Sequence, residues 1–156
     1  MQLLAEWLTQ LPAGYSSKTH VRVGEQPLQH QGIPLTPAQS RAFSVWNSWA
    51  DARVVTPSEV WIVEAKIVGT GAAYGQVLDY VGEYPASPDA QQFPGKEVIP
   101  VVLTMAVRPL TASRFAAMGV RTIEFQPSFG LAESLAKLFP AAQVLFPTGV
   151  ATDPAD

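Results

Sequence analysis

The chain has 156 residues, 47% of them hydrophobic and 15% charged, and carries a formal net charge of −3 at neutral pH. That length suits one domain with a complete core, and the charge balance gives no indication of a broad basic surface for binding nucleic acid. The absence of cysteine excludes disulfides and thiolate metal sites, so a bound metal ion would take oxygen or histidine ligands. The N-terminal residues lack the features of a signal peptide and no segment reaches the length of a membrane span. We therefore expect a cytoplasmic protein with no membrane partner.

The first predicted element is an amphipathic helix over residues 2–11, where leucines and a tryptophan recur at helical spacing before a proline. Residues 19–24, THVRVG, alternate in polarity and are rich in β-branched side chains, which predicts a strand. After a turn-rich connection, Thr36 and Pro37 are typical of a helix start. That helix would carry an apolar side made of Ala42, Phe43, Trp46 and Trp49. The alternative is that FSVWNSWA, residues 43–50, already forms a strand.

The next predicted unit is a hairpin over residues 49–69, in which TPSE forms the turn and Pro57 takes the position that a type I turn favours. A helix over residues 72–84 follows two glycines and ends at a proline. Beyond a loop, residues 98–107 form a nearly continuous apolar run, as expected for a central strand that is covered on both faces. The remaining predictions are a short helix over residues 111–118, a strand over residues 120–125 and a last helix marked by Leu131, Leu135 and Leu138.

This order of elements predicts an α/β fold, in which helices flank a mixed sheet on both sides. We expect a single domain over residues 1–145. Residues 146–156 are small, proline-bearing and acidic, which predicts a C-terminal tail.

The hairpin places two acids and a lysine among apolar residues, and burying charges is costly unless they pair or hold a metal ion. With a four-residue TPSE turn, Val55 pairs with Val60, and the same register places Asp51 opposite Glu64. Lys66 follows Glu64 by two residues, so it projects from the same face of the strand. The sequence therefore predicts that two carboxylates and one ammonium converge at one point of the sheet.

Two carboxylates that face each other on paired strands raise each other's pKa unless a cation lies between them. Mg²⁺ suits such a pair, because it is a hard ion that binds one or two carboxylates together with water and substrate phosphate. Mn²⁺ could replace it. The alternative is a solvated cross-strand salt bridge on an exposed face, which Arg53 could join. We favour the metal site because the neighbouring residues are apolar and charged residues are scarce in this chain.

Asp51, followed by Glu64, Ala65 and Lys66 in an apolar strand, resembles the signature of the PD-(D/E)XK nuclease superfamily. The resemblance implies a restriction-endonuclease-like core with the element order αβββαβ. It also implies that the two acids and the backbone carbonyl of Ala65 bind the metal ion, while Lys66 assists the attacking water. WAD stands where the family signature has Pro-Asp, so the assignment of Asp51 depends on the hairpin register more than on the motif.

Gln76 and Tyr80 are four residues apart, which places them on one face of the predicted helix. The pair resembles the Q-x-x-x-Y element of the RecB and lambda-exonuclease branch of the superfamily. The resemblance implies that both residues help to orient the active site or bound DNA, so they join the predicted catalytic set. The alternative is a helix that covers the core, with the tyrosine hydroxyl hydrogen-bonded at its edge. We expect the preceding GTGAAYG segment, residues 69–75, to form a flexible lip over the site.

Together these residues predict a Mg²⁺-dependent nuclease that hydrolyses DNA phosphodiester bonds. One alternative is a nuclease-fold structural or assembly component of a larger complex, such as a phage virion head-completion or neck protein, with or without activity. The acidic pI of 5.3 and the few cations favour protein partners of that kind, and the protein would then be located in the virion. A further alternative is a small binding module in which the hairpin acids hold a structural ion.

Two tryptophans and two histidines remain outside this site. Trp46 and Trp49 have side chains that could stack on nucleobases, but we favour core packing beside the hairpin. Neither His20 nor His30 has another ligand at metal-binding spacing, so we expect them at a strand edge and in a loop.

Overall fold

The computed structural model describes residues 2–24, 36–38 and 48–129. The elements formed by these residues are α1 (Gln2–Thr9), β1 (Ser16–Val23), β2 (Ser48–Val55), β3 (Glu59–Gly69), α2 (Gly71–Glu83), β4 (Glu97–Val107), α3 (Pro109–Ala116) and β5 (Arg121–Glu124). Two short 3-10 turns, Tyr84–Ala86 and Ala90–Gln92, lie in the predicted loop between α2 and β4. The predictions for residues 39–47, for the helix marked by Leu131 and for the tail lie outside the described residues, as does His30.

The five strands form one sheet in the order β1-β2-β3-β4-β5. β2 runs antiparallel to both β1 and β3, whereas β4 runs parallel to both β3 and β5. Parallel neighbours need a crossover connection, and α2 and α3 provide the two crossovers. The predicted fold class is confirmed: the protein has a mixed sheet with flanking helices. The first six described elements follow the order αβββαβ, as predicted.

The hairpin between β2 and β3 is closed by a turn at residues 56–59. The N–H of Thr56 donates to the carbonyl of Glu59 at 2.9 Å, and the Thr56 hydroxyl accepts a hydrogen bond from the N–H of Glu59, also at 2.9 Å. This turn sets the pairing of the two strands, in which Val55 faces Val60 as the sequence predicted.

Helix α2 packs on the sheet through its buried side chains. Tyr74 and Val77 of this helix join a core cluster that includes Ile62 of β3 and Val102 of β4. The ring of Tyr74 also stacks on Phe115 of α3, with ring centroids 4.5 Å apart. Because α2 begins two residues after β3 ends, this packing holds its first turns beside the C-terminal part of β3. Helix α2, which follows the hairpin, is thereby brought close to the charged residues Asp51, Glu64 and Lys66.

Two predictions about local structure are wrong. Trp49 belongs to β2 and is 39% exposed, so it neither ends a helix nor packs in the core. The strand that was the alternative for this segment is present from Ser48 onwards. Residues 69–75 do not form a lip, because Gly69 ends β3 and α2 starts at Gly71. Burial of Tyr74 in the core outweighs the low helix propensity of the glycines.

The chain divides into two compact units, residues 1–125 and residues 126–156. The first contains every element named above, and only residues 126–129 of the second are described. The predicted domain limit at residue 145 lies outside the described residues and stays a prediction. No helix in the described ranges combines the length and the apolar character that crossing a membrane requires.

Candidate metal-binding and catalytic site

Asp51 lies where the regular pairing of β2 with β3 ends. The paired residues end at Ala52 and Val63, and the same register continued by one step places Asp51 opposite Glu64. Beyond the last pair, the N–H of Ala65 on β3 donates its hydrogen bond to a side chain and not to a backbone carbonyl of β2. Its acceptor is Asp51 Oδ2, at 2.8 Å. The carboxylate therefore satisfies a backbone donor of β3 and is held against the strand that carries Glu64.

Glu64 is buried, with 2% of its surface exposed, and its Oε1 lies 2.6 Å from Nζ of Lys66. The Lys66 side chain is 44% exposed, so this residue reaches the surface beside the buried carboxylate. Burial raises the pKa of Glu64; the hydrogen bond from Lys66 opposes this shift, and the negative charge of Asp51 adds to it. The hydrogen bond to Glu64 raises the pKa of Lys66, which keeps the ammonium protonated at neutral pH.

The structure thus brings together the three charged residues that the hairpin register predicted to converge. A fully solvated surface salt bridge does not describe them, because Glu64 is among the fully buried side chains of the protein. Arg53, which that alternative would have recruited, pairs with a different acid. A buried carboxylate next to a second carboxylate is an arrangement that costs stability, and such arrangements are frequent at functional sites.

Gln76 and Tyr80 share one face of α2, as predicted, and the Gln76 Nε2 amide donates a hydrogen bond to the Tyr80 hydroxyl. Tyr80 is buried. Burial raises its pKa, and the negative charges of Glu64 and Asp51 raise it further, so the phenol stays protonated. These interactions place the Tyr80 hydroxyl in the electrostatic field of the acidic pair. The helix therefore places a neutral hydrogen-bonding group near the acidic pair.

Sequence reasoning missed a buried ionic network on the same face of β2. Arg53 lies two residues from Asp51, and its NH1 is 3.4 Å from Oδ2 of Asp89, which also accepts a hydrogen bond from the Tyr84 hydroxyl at 2.8 Å. The guanidinium lies over the ring of Phe93, 4.5 Å from its centroid. Strand alternation indicated that Arg53 shares a face with Asp51, but no sequence pattern links it to Asp89 in the loop after α2. The network attaches that loop to the strand that carries Asp51.

The donor groups at the acidic pair fit a hard divalent cation. Asp51 and Glu64 offer carboxylate oxygens, and the carbonyl of Ala65 lies on the same edge of β3 as the N–H that reaches Asp51, because a strand residue directs both groups to one neighbour. The described ranges contain no cluster of three or more histidine, aspartate or glutamate side chains suited to a metal ion. Mg²⁺ does not require one, since it commonly binds one or two carboxylates and completes its shell with water and phosphate.

No family model matches the chain, and no curated protein matches it. Among solved structures, a repair endonuclease from Pyrococcus abyssi is 13% identical with a TM-score of 0.41, and the match covers 70% of this chain and 40% of that one. A protein of unknown function named AF1548 is 16% identical with a TM-score of 0.44, and the match covers 98% of this chain and 70% of that one. The chain thus spans less than half the length of the endonuclease, and at these TM-scores neither likeness decides the fold or the function.

Proposed function

We propose that the protein is a Mg²⁺-dependent nuclease that hydrolyses DNA phosphodiester bonds at Asp51, Glu64 and Lys66. The observation that carries the proposal is the buried carboxylate of Glu64, which interacts with a second carboxylate and with the ammonium of Lys66, a side chain that is partly exposed. Burial of the Glu64 carboxylate and its repulsion by Asp51 both oppose folding. A divalent cation bound between the carboxylates would attract both of them and offset their repulsion, which would explain why the two acids lie together.

The metal-binding residues in this proposal are Asp51, Glu64 and, through its carbonyl, Ala65. Bound Mg²⁺ would polarise a phosphate oxygen and favour ionisation of a water molecule. The N–H of Ala65 holds the Asp51 carboxylate in one orientation, so the acid is positioned before any ion arrives. Mn²⁺ would take the same oxygen ligands.

Lys66 acts in this proposal through its charge. Its ammonium is paired with Glu64, and because the side chain is 44% exposed, a phosphate group of the substrate can approach it. In phosphodiester hydrolysis, negative charge builds up on the phosphate oxygens as water attacks, and a fixed ammonium next to them stabilises that charge. The nucleophile is water, and the bond that breaks is the one between phosphorus and the leaving oxygen of the DNA strand.

Gln76 and Tyr80 complete the proposed site as positioning residues. The hydrogen bond from Gln76 orients the Tyr80 hydroxyl, whose own proton stays available for donation to a phosphate oxygen or to an acid of the cluster. Because Tyr80 is buried and protonated, it adds a donor without adding charge. DNA is the substrate in this proposal because the Asp51, Glu64 and Lys66 pattern resembles a DNA nuclease signature.

Cleavage assays test this proposal directly. The native protein should cut supercoiled plasmid or linear DNA in the presence of Mg²⁺ or Mn²⁺ and not in the presence of EDTA. Glu64→Gln and Lys66→Met should each lower the cleavage rate by about 100-fold or more, since each removes a charge that acts on the transition state. Thermal stabilisation of the native protein by Mg²⁺ or Mn²⁺, lost in Glu64→Gln, would report metal binding without depending on activity.

The matched control is Glu59→Gln, because it makes the same substitution on the same strand. Glu59 is bound to Arg121 and has no contact with the acidic cluster, so this variant should keep both the cleavage rate and the metal response. Absence of cleavage by the native protein on all DNA substrates, or equal rates for the native protein and Lys66→Met, would refute the proposed function.

A further inference from the structure

Beside the acidic cluster lies a pair of stacked aromatic rings that the proposed chemistry does not use. His20 on β1 and Trp49 on β2 have ring centroids 4.4 Å apart and an interplanar angle of 10°. Both residues are exposed, and Trp49 is one of the few large apolar side chains with substantial exposure in the described part of the chain. A tryptophan normally contributes most to stability when it is buried, so a ring pair held at the surface needs another reason.

The strand pairing places this pair next to Asp51. Val21 pairs with Ala50 and Thr19 with Ala52, so His20 stands at the level of Asp51 on the neighbouring strand. Trp49 precedes Asp51 by two residues, so the two side chains project from the same face of β2, about 7 Å apart along the strand. The aromatic pair therefore adjoins the proposed metal site on the side opposite Arg53, which is buried.

The backbone of His20 is held in an unusual conformation. Its φ of +52° is the one positive value at a non-glycine position among the described residues. Histidine tolerates this left-handed region better than most residues, but the conformation still costs free energy. At this position it coincides with an imidazole stacked against Trp49. Strain of this kind persists where the surrounding structure requires it, and it is concentrated at functional sites.

We propose that His20 and Trp49 form a stacking platform for an unpaired nucleobase of the strand whose phosphate is bound at Asp51, Glu64 and Lys66. This inference rests on the proposed nuclease function and adds a substrate class to it: single-stranded DNA. A base in a duplex is already stacked on both faces and does not offer its plane to a protein ring, whereas an unpaired base does. Stacking is tolerant of sequence, because every base has an aromatic face.

Binding in a background that cannot cleave tests the platform. In Glu64→Gln, fluorescence anisotropy with a labelled single-stranded oligonucleotide and with a blunt duplex of the same sequence gives the two affinities. Adding Trp49→Ala should weaken single-strand binding by about tenfold, since stacking of one base contributes about 1–3 kcal/mol. Adding His20→Ala should weaken it by a smaller factor, and duplex affinity should change by less than about twofold in both. Leu110→Ala is the matched control, because it removes a large exposed apolar side chain from α3 and should leave both affinities unchanged.

Several results would overturn the platform. They are an unchanged single-strand affinity in Trp49→Ala, an equal loss for duplex and single strand, or no single-strand binding by the parent variant. Light scattering that shows a dimer converted to a monomer by Trp49→Ala would assign the ring pair to a contact between two copies of the chain instead. If Trp49→Ala fails to fold, Trp49→Phe and His20→Ala test the platform instead. Trp49→Phe keeps a stacking ring, so its single-strand affinity should fall by much less than the roughly tenfold loss expected for Trp49→Ala. Cleavage by the otherwise native protein is measured separately, so failure of the platform and failure of the proposed function remain distinguishable.

Discussion

Glu59 and Glu64 lie on the same strand but in opposite electrostatic environments. Glu59 accepts a bidentate pair of hydrogen bonds from Arg121, at 2.9 and 3.0 Å, and contributes to the stability of the fold. Glu64 is buried next to a second carboxylate, and its partner Lys66 is only half buried. One glutamate is thus satisfied by its surroundings, whereas the other is held where its charge opposes folding. This contrast separates a structural acid from an acid whose position makes sense only with a ligand.

The first prediction concerns stability without metal. Glu64→Gln should raise the free energy of unfolding in EDTA by on the order of 1 kcal/mol, because it removes a buried charge and keeps a group that can hydrogen-bond. Glu59→Gln should lower it by a similar amount, because it removes the charged partner of Arg121. Urea unfolding of the two variants and the native protein provides the measurement. Equal destabilisation by both substitutions would show that Glu64 supports the fold like any other buried, paired acid.

At the scale of elements, the hairpin is the part of the structure that the sequence predicted in most detail. Its register follows from local features, a four-residue turn and alternating apolar residues, and so does the approach of Glu64 to Asp51. The hydrogen bond from Ala65 to Asp51 was not predictable in this way, because it depends on the regular pairing of β2 with β3 ending at Ala52 and Val63. The partner of Arg53 was not predictable either, since a long-range contact with a loop residue leaves no periodic signal.

The same reasoning explains the errors around Trp49 and at the start of α2. The aromatic residues before Asp51 fit either a helical or a strand period, and pairing with β1 decides the matter. The glycines after β3 indicated a loop, but they belong to or adjoin the crossover helix to β4, whose buried face packs on the sheet. In both places long-range pairing outweighed a local signal.

The second prediction concerns the turn that sets the hairpin register. The Thr56 hydroxyl accepts a hydrogen bond from the N–H of Glu59, and the Lys96 ammonium donates to the Thr56 carbonyl at 2.7 Å. Thr56→Val keeps the shape of the side chain but leaves the Glu59 N–H without this side-chain acceptor. It should lower the free energy of unfolding by about 1–2 kcal/mol. It should also reduce the proposed DNA cleavage, because a looser register weakens the approach of Asp51 to Glu64.

Thr56→Ser is the control for this turn, because serine keeps the hydroxyl and loses one methyl group. Chemical denaturation and the plasmid assay should place Thr56→Ser close to the native protein and well above Thr56→Val. If Thr56→Val were at least as stable as Thr56→Ser, the hydroxyl would contribute no more to the turn than the methyl group does, and the predicted link between turn and site would be lost.

At the scale of the whole molecule, β3 joins the antiparallel half of the sheet to the parallel half, and its two glutamates give stability opposite dependences on pH. Arg121 holds the pKa of Glu59 at about 2, below its ordinary value of 4.5. The unfolded chain therefore binds more protons at Glu59 between these values, so this contribution to stability is complete above about pH 4.5 and is lost as the pH falls towards 2. Burial raises the pKa of Glu64 above 4.5, so its contribution declines as the pH rises above 4.5.

The third prediction follows from these opposite signs. Melting temperatures measured in EDTA from about pH 2 to about pH 8 should rise and then fall, because Glu59 acts on the acid side and Glu64 above it. Glu59→Gln should flatten the acid side, lie a few degrees below the native protein near neutral pH and converge with it near pH 2. Glu64→Gln should flatten the decline and lie above the native protein near neutral pH, with a difference that shrinks as the pH falls towards 4.5. Parallel curves for all three proteins would mean that neither glutamate changes its pKa on folding. The assignment of Glu64 as a buried, destabilising acid would then be wrong.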